Sequence, residues 1–96
     1  MVYIRNLRKL KDYLIEYIGL KVVVLNSPSK ERIGITGLVI DETKFTFVIE
    51  KKDKQLVKIP KENSVFRFKR EGREFEIQGS KILYRPEERI KKILKG

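Results

Sequence analysis

The 96-residue sequence predicts an all-β fold with helical extensions: a small antiparallel β-barrel of five to six strands, flanked by an N-terminal and a C-terminal helix. Three observations predict it. Short β-branched and aromatic runs with a period of two recur between residues 21 and 84, and polar or glycine-containing turns separate them. Apolar residues at helical spacing precede these runs, and a basic amphipathic stretch follows them. A chain of this length makes one domain with one modest core, and closing its sheet would remove exposed edges.

The expected organisation is a helical extension over 1–18, a barrel over 19–84 and a basic helix over 85–96. Tyr3, Leu7, Leu10, Leu14 and Tyr17 fall on one helical face, and Gly19 is a suitable stop. Such a face must pack either on the chain's own barrel or on a partner protein, and the two can hold together. Leu7, Leu10 and Leu14 are the candidate partner contact.

Lys21 to Leu25 reads as the first strand, and Asn26 to Lys30 as turn chemistry. The second strand runs through Ile33, Ile35 and Leu38-Val39-Ile40, with Gly37 marking a bend or bulge. Asp41 to Lys44 forms a tight polar turn, in which Asp41 bonds nearby backbone. Phe45, Phe47 and Ile49 alternate along a third strand. Lys51 to Lys54 makes a charged hairpin loop. Gln55 to Ile59 makes a fourth strand, closed by Pro60, and Val65 to Lys69 makes a fifth. Glu71-Gly72-Arg73 turns the chain into a sixth strand, which carries Phe75 and Ile77 and ends at Gly79. Ile82 to Tyr84 is a candidate short closing strand. Pro86 suits the first position of the last helix, with Glu87 and Glu88 in its first turn.

Composition restricts the chemistry. There is no His and no Cys, so the commonest general acid/base, thiol nucleophiles, disulfides and thiolate metal sites are excluded. No phosphate-cradling glycine motif occurs, and the carboxylates are scattered. The expectation is no catalytic residue, no metal ligand and no bound cofactor. The chain has no apolar run of about 20 residues and no secretory leader pattern, so it is expected to be cytoplasmic and free of the membrane.

Charge supplies the functional signal. With 23 Lys and Arg against 13 Asp and Glu, the net charge is +10, which calls for a polyanionic partner. RNA is the natural one, with an anionic membrane surface as its competitor. Lys81, Arg85, Arg89, Lys91, Lys92 and Lys95 cluster at the C-terminus. Lys58, Lys61, Arg67, Lys69, Arg70 and Arg73 come from the last strands and their turns. Lys21, Lys30, Arg32 and Lys44 come from the other half of the chain. Phe45, Phe47, Phe66, Phe68 and Phe75 are spaced as inward-facing core rather than as exposed stacking platforms. Phosphate and shape contacts are therefore expected over base stacking.

An ordered series of residues carries more than composition. It begins with Ile18-Gly19, Val22, Val24, Ser27, Gly34-Ile35-Thr36-Gly37 and Asp41-Glu42-Thr43-Lys44. It continues through Phe47, Ile59-Pro60-Lys61, Val65-Phe66, Gly79-Ser80-Lys81 and Arg85-Pro86-Glu87-Glu88-Arg89. Over roughly residues 14–92 the chain resembles protein component 1 of archaeal ribonuclease P, the counterpart of a eukaryotic ribonuclease P and MRP subunit.

The resemblance implies an Sm-like or SH3-like barrel in the ribonucleoprotein that removes 5′ leaders from precursor tRNA. There the RNA is the catalyst, and Mg²⁺ is expected only at that RNA. Its implied partners are the ribonuclease P RNA, met mainly at its specificity half, a zinc-ribbon protein subunit and other ribonuclease P proteins; precursor tRNA is met indirectly. Alone, the chain is expected to be a monomer. The resemblance implies structural roles for Gly34, Gly37 and Pro60, and RNA contacts for Lys44, Lys61, Lys81, Arg85 and Arg89. Lys21, Lys30, Arg32, Lys58, Arg67 and Lys69 are RNA-binding candidates on charge alone. The alternatives are a ring-forming Sm-like RNA chaperone and a protein-interaction module of another ribonucleoprotein.

Overall fold

The computed structural model describes residues 16–88. Six antiparallel strands form a single sheet: β1 (Lys21–Asn26), β2 (Thr36–Glu42), β3 (Thr46–Glu50), β4 (Leu56–Pro60), β5 (Val65–Arg70) and β6 (Arg73–Gln78). Their order across the sheet is β4-β3-β2-β1-β5-β6. Short 3₁₀ turns follow β1 (Lys30–Arg32) and β6 (Gly79–Lys81). The helical face expected over Tyr3 to Leu14, and the stretch from Arg89 onward, lie outside the described residues.

Alternation decides what each strand buries. Val22, Val24, Val39, Phe47, Ile49, Ile59, Phe66, Phe68, Phe75 and Ile77 point inward and make one core with Tyr17 and Ile82. Phe47 meets Phe66 edge-on at a centroid distance of 5.1 Å and Phe68 at 5.6 Å. Such pairs contribute about 0.5–1.5 kcal/mol each beyond the area they bury. Tyr17 fills the open side of this cluster, 4.6 Å from Phe68 and 5.6 Å from Phe47.

Several expectations change. Residues 16–18 are not helical. Tyr17 leaves the expected helix to enter the core, and Gly19, at φ +94°, turns the chain into β1. Gly19 N–H then donates to Val39 at 2.7 Å, which extends the β1–β2 pairing beyond the strand itself. The polar turn expected at Asp41–Lys44 is shorter, because β2 runs on through Glu42. Asp41 does bond nearby backbone, accepting from Glu42 N–H at 2.9 Å.

Phe45 is a correction. It sits at the turn before β3 and is 57% exposed rather than in the core, because the inward positions of β3 start at Phe47. The bulge expected at Gly37 lies instead in the β2–β3 register between Val39 and Asp41. Gly37 serves close approach: a Cβ there would collide with the Glu50 carbonyl and stand 2.9 Å from Ile49 Cγ2.

Barrel closure is the second correction. β4 and β6 are the two ends of the sheet and do not pair with each other. No seventh strand forms at Ile82–Tyr84 among the described residues. The turn between β4 and β5 and the segment after β6 meet instead: Gly79 N–H donates to the Ser64 carbonyl at 2.8 Å and Asn63 N–H to Ser80 Oγ at 3.1 Å. A strongly curled open sheet results. At Pro86 the chain enters a helical turn, where Glu88 N–H donates to the Arg85 carbonyl and Arg85 N–H donates back to Glu88 Oε1. Residues 86–88 make one helical turn; the rest of the helix expected over 85–96 lies outside the described residues.

Candidate nucleic-acid interface

The outward positions of the sheet carry the charge. Lys21 on β1 stands directly opposite Lys69 on β5, and Val23 opposite Arg67. Two like charges facing each other across a ladder are destabilising unless an anion joins them. Arg67 has a local partner, Glu76 on β6, at 3.3 Å. The ion pair is exposed, so it contributes little to stability and leaves the guanidinium accessible.

Beside this strip lies a groove of about 340 Å³, bordered by Lys21, Thr36, Leu38, Glu50 and the lysines of the β3–β4 loop, Lys51, Lys52 and Lys54. The ladder explains the gathering. Lys21 pairs with Leu38 and Leu38 with Glu50, so the loop that follows Glu50 is brought beside Lys21. Two hollows adjoin it. One, toward Ile33–Thr36, shares Thr36, Lys51 and Lys52 with the groove. The other, between β1 and β5, shares Lys21 and Thr36 and is also bordered by Arg67, Lys69 and Glu74. Thr36 borders all three, and its hydroxyl donates to the Val22 carbonyl at 3.1 Å.

The expected RNA contacts therefore separate. Lys21, Arg67 and Lys69 share the hollow between β1 and β5. Lys30 and Arg32 sit in the 3₁₀ turn just before Ile33, which borders the other hollow. Lys58 lies on the exposed face of β4, opposite Val48. Lys44, Lys81 and Arg85 are exposed at a different part of the molecule, around the β2–β3 turn and the segment after β6. Lys44 lies 5.3 Å from the Phe45 ring centroid. Arg89 and the leucines Leu7, Leu10 and Leu14 fall outside the described residues. Sequence reasoning missed Lys51, Lys52 and Lys54, which read only as part of a charged hairpin loop. Their run of charge was visible, but their nearness to Lys21 depends on strand register.

Lys61 is the correction within the set. Its side chain is fully buried. Its ammonium donates to Glu42 Oε2 at 2.7 Å, to the Ile82 carbonyl at 3.0 Å and to the Tyr84 carbonyl at 3.1 Å. It also lies 4.9 Å from the Phe47 ring centroid. An ammonium so committed cannot meet a phosphate outside. It ties the end of β2 and the β4–β5 turn to the segment that leads into Arg85. Gly79 is required beside it, because a Cβ there would collide with the Lys61 carbonyl.

Among the described residues no group of three or more His, Cys, Asp or Glu side chains could hold a metal ion. None of the described helices is long and apolar enough to cross a membrane.

Comparison with known proteins gives a consistent result. The family model described as ribonuclease P/MRP, subunit p29, matches residues 13–92. The ribonuclease P protein component 1 of Methanocaldococcus jannaschii is 48% identical over 80 residues, covering 83% of this chain and 84% of that protein. The protein of the same name from Staphylothermus marinus is 43% identical, covering 83% and 88%. The solved structure of Mth11, described as a homologue of the human RNase P protein Rpp29, superposes with a TM-score of 0.60 at 41% identity. That match covers 78% of this chain and 97% of the other. With a family model spanning most of its length and relatives this similar, the chain belongs to the ribonuclease P/MRP subunit p29 family.

Proposed function

We propose that this chain is a non-catalytic protein subunit of ribonuclease P, which binds the RNA of that enzyme and supports cleavage of the 5′ leader from precursor tRNA. The observation that carries the binding half is a pair of adjoining hollows, both lined by Lys21 and Thr36, that gathers Lys21, Lys51, Lys52 and Lys69 on one face. Regularly spaced cations on strands suit the phosphates of a folded RNA. Family membership supplies the machine. The absence of His and Cys from the sequence supports leaving the chemistry to the RNA.

On this reading a zinc-ribbon subunit and other ribonuclease P proteins are its protein partners, with Leu7, Leu10 and Leu14 in the zinc-ribbon contact. The chain acts on the specificity half of the RNA, works in the cytoplasm and is a monomer when isolated. Lys44, Lys81 and Arg85 form a second RNA-facing group, which Arg89 would extend.

Reconstitution tests the reading. The purified protein should leave precursor tRNA intact. Added with its partner to the cognate RNA, it should lower the Mg²⁺ needed for cleavage; cleavage by protein alone would refute the proposal. Leu10→Lys should abolish capture of the zinc-ribbon subunit in a pull-down, and unchanged capture would remove that face from the contact. One observation favours a second reading: β4 and β6 are edge strands, and a ring-forming RNA chaperone assembles by pairing such edges between subunits. A hexamer or heptamer mass in sedimentation would support the ring, and a monomer mass the ribonuclease P reading.

A further inference from the structure

The floor of the central groove is not what phosphate binding alone requires. Lys21, Leu38 and Glu50 stand in one cross-strand row on the outer face, with Leu38 in the middle and 40% exposed. A strip built only for phosphates gains nothing from an exposed leucine, and a carboxylate beside it repels them. Both make sense if the ligand presents an apolar face and a hydrogen-bond donor together with its negative charge.

We infer that this groove seats one unpaired nucleotide of RNA whose base carries an exocyclic amine: cytosine, adenine or guanine. The inference rests on the groove being an RNA surface. The base lies on Leu38, its amine donates to Glu50, and the flanking phosphates are held by Lys21 on one side and Lys51 and Lys52 on the other. Carboxylates read amino groups of bases in this way. Glu50 has acceptor capacity to give: its contact with Lys54 is 3.9 Å, beyond hydrogen-bonding distance. The size also fits. At about 340 Å³ the groove is near the lower limit of small-ligand sites, roughly 300–1,000 Å³, and is too small for a helix. A paired base is excluded, because in an A-form duplex it cannot leave the stack to enter. An acidic peptide would satisfy the lysines and could donate backbone N–H groups to Glu50, but it has no flat ring face to lie on Leu38.

The test uses the full-length protein and four fluorescent probes of equal length, followed by anisotropy: single-stranded oligocytidine, oligouridine, an abasic strand and a duplex. Oligocytidine should bind about tenfold more tightly than oligouridine, the scale of one hydrogen bond to a charged group. The abasic strand and the duplex should bind more weakly than either. Glu50→Ala should erase the preference for cytidine over uridine. Leu38→Ser should weaken both single strands and leave the duplex unchanged; both sites are on the surface, and thermal melts confirm folding. Equal binding of oligocytidine, oligouridine and the abasic strand would overturn the inference while leaving a phosphate-binding groove. Duplex binding as tight as oligocytidine would also overturn it, as would displacement of oligocytidine by a low concentration of polyglutamate. If Lys21→Ala and Lys52→Ala change no probe's affinity, the groove is not an RNA surface, and the proposed binding function fails there with it.

Discussion

At the scale of single residues, Lys61 and Phe45 show what alternation cannot tell. Both lie at ends of strands, where a residue's side is set by what packs nearby rather than by the period of two. Lys61 reads as a surface cation in a basic run, yet it is fully buried with Glu42. Phe45 reads as core, yet it is exposed, because Phe47 and Ile49 already fill the inward positions of β3. No local signal links Glu42 to Lys61, which are 19 residues apart.

The pairing has a measurable consequence. Removing one partner of a buried ion pair leaves the other charged and desolvated, which costs about 3–5 kcal/mol. Lys61→Met should therefore destabilise the full-length protein by about that much in urea denaturation. Combining it with Glu42→Leu should recover part of the loss, since apolar groups can replace such a pair. A loss below about 1 kcal/mol for Lys61→Met would mean that the ammonium contributes as little as a surface charge does. Lys44→Ala is the contrasting variant. It should leave stability within about 0.5 kcal/mol of the parent and reduce RNA affinity; a clear loss of stability would move Lys44 from the surface set to the structural one.

At the scale of elements, the strands were legible and their closure was not. Six runs with a period of two became six strands, because hydrophobic alternation reports directly on a face packed against a core. Glu71 and Gly72 turn β5 into β6 with positive φ at both positions, as a two-residue hairpin demands, and that too was legible as a turn. The shape of the sheet was harder to read. Closure depends on whether β4 and β6 meet, and that is decided by the few residues of the β4–β5 turn and the segment after β6.

The curl depends on Gly37 for a reason other than bending. The backbone of β3 passes so close that any side chain at this position must push β2 and β3 apart. Gly37→Ala should cost about 1–3 kcal/mol, as overpacking does, although alanine ordinarily suits a strand better than glycine. A melting temperature equal to the parent's would show that the sheet yields there at no cost. Since Gly37 also borders the lysine groove, the variant should lose RNA affinity beyond its loss of folded protein.

At the scale of the whole molecule, a net charge of +10 points to a polyanion but not to where one would bind. Charge is additive along a sequence, whereas a binding surface is a matter of which charges share a face. Strand order brings Lys21 between β2 and β5, and so joins a loop near residue 52 to a strand near residue 68. The salt dependence of RNA binding measures how many of these cations act together. Each phosphate neutralised contributes roughly 0.7–0.9 to the slope of log affinity against log salt. If the groove is the RNA surface, Lys21→Ala and Lys52→Ala together should flatten that slope by about 1.4–1.8. Neutralising two lysines that contact no phosphate, however exposed, should lower affinity slightly and leave the slope almost unchanged, because released counterions count contacts rather than net charge. Lys54 offers that comparison within the same loop, since the proposed nucleotide seat uses Lys21, Lys51 and Lys52 and not Lys54. Lys54→Ala should flatten the slope by less than half as much as Lys52→Ala. Equal effects for the two would mean that the RNA senses only the overall field, with no particular groove.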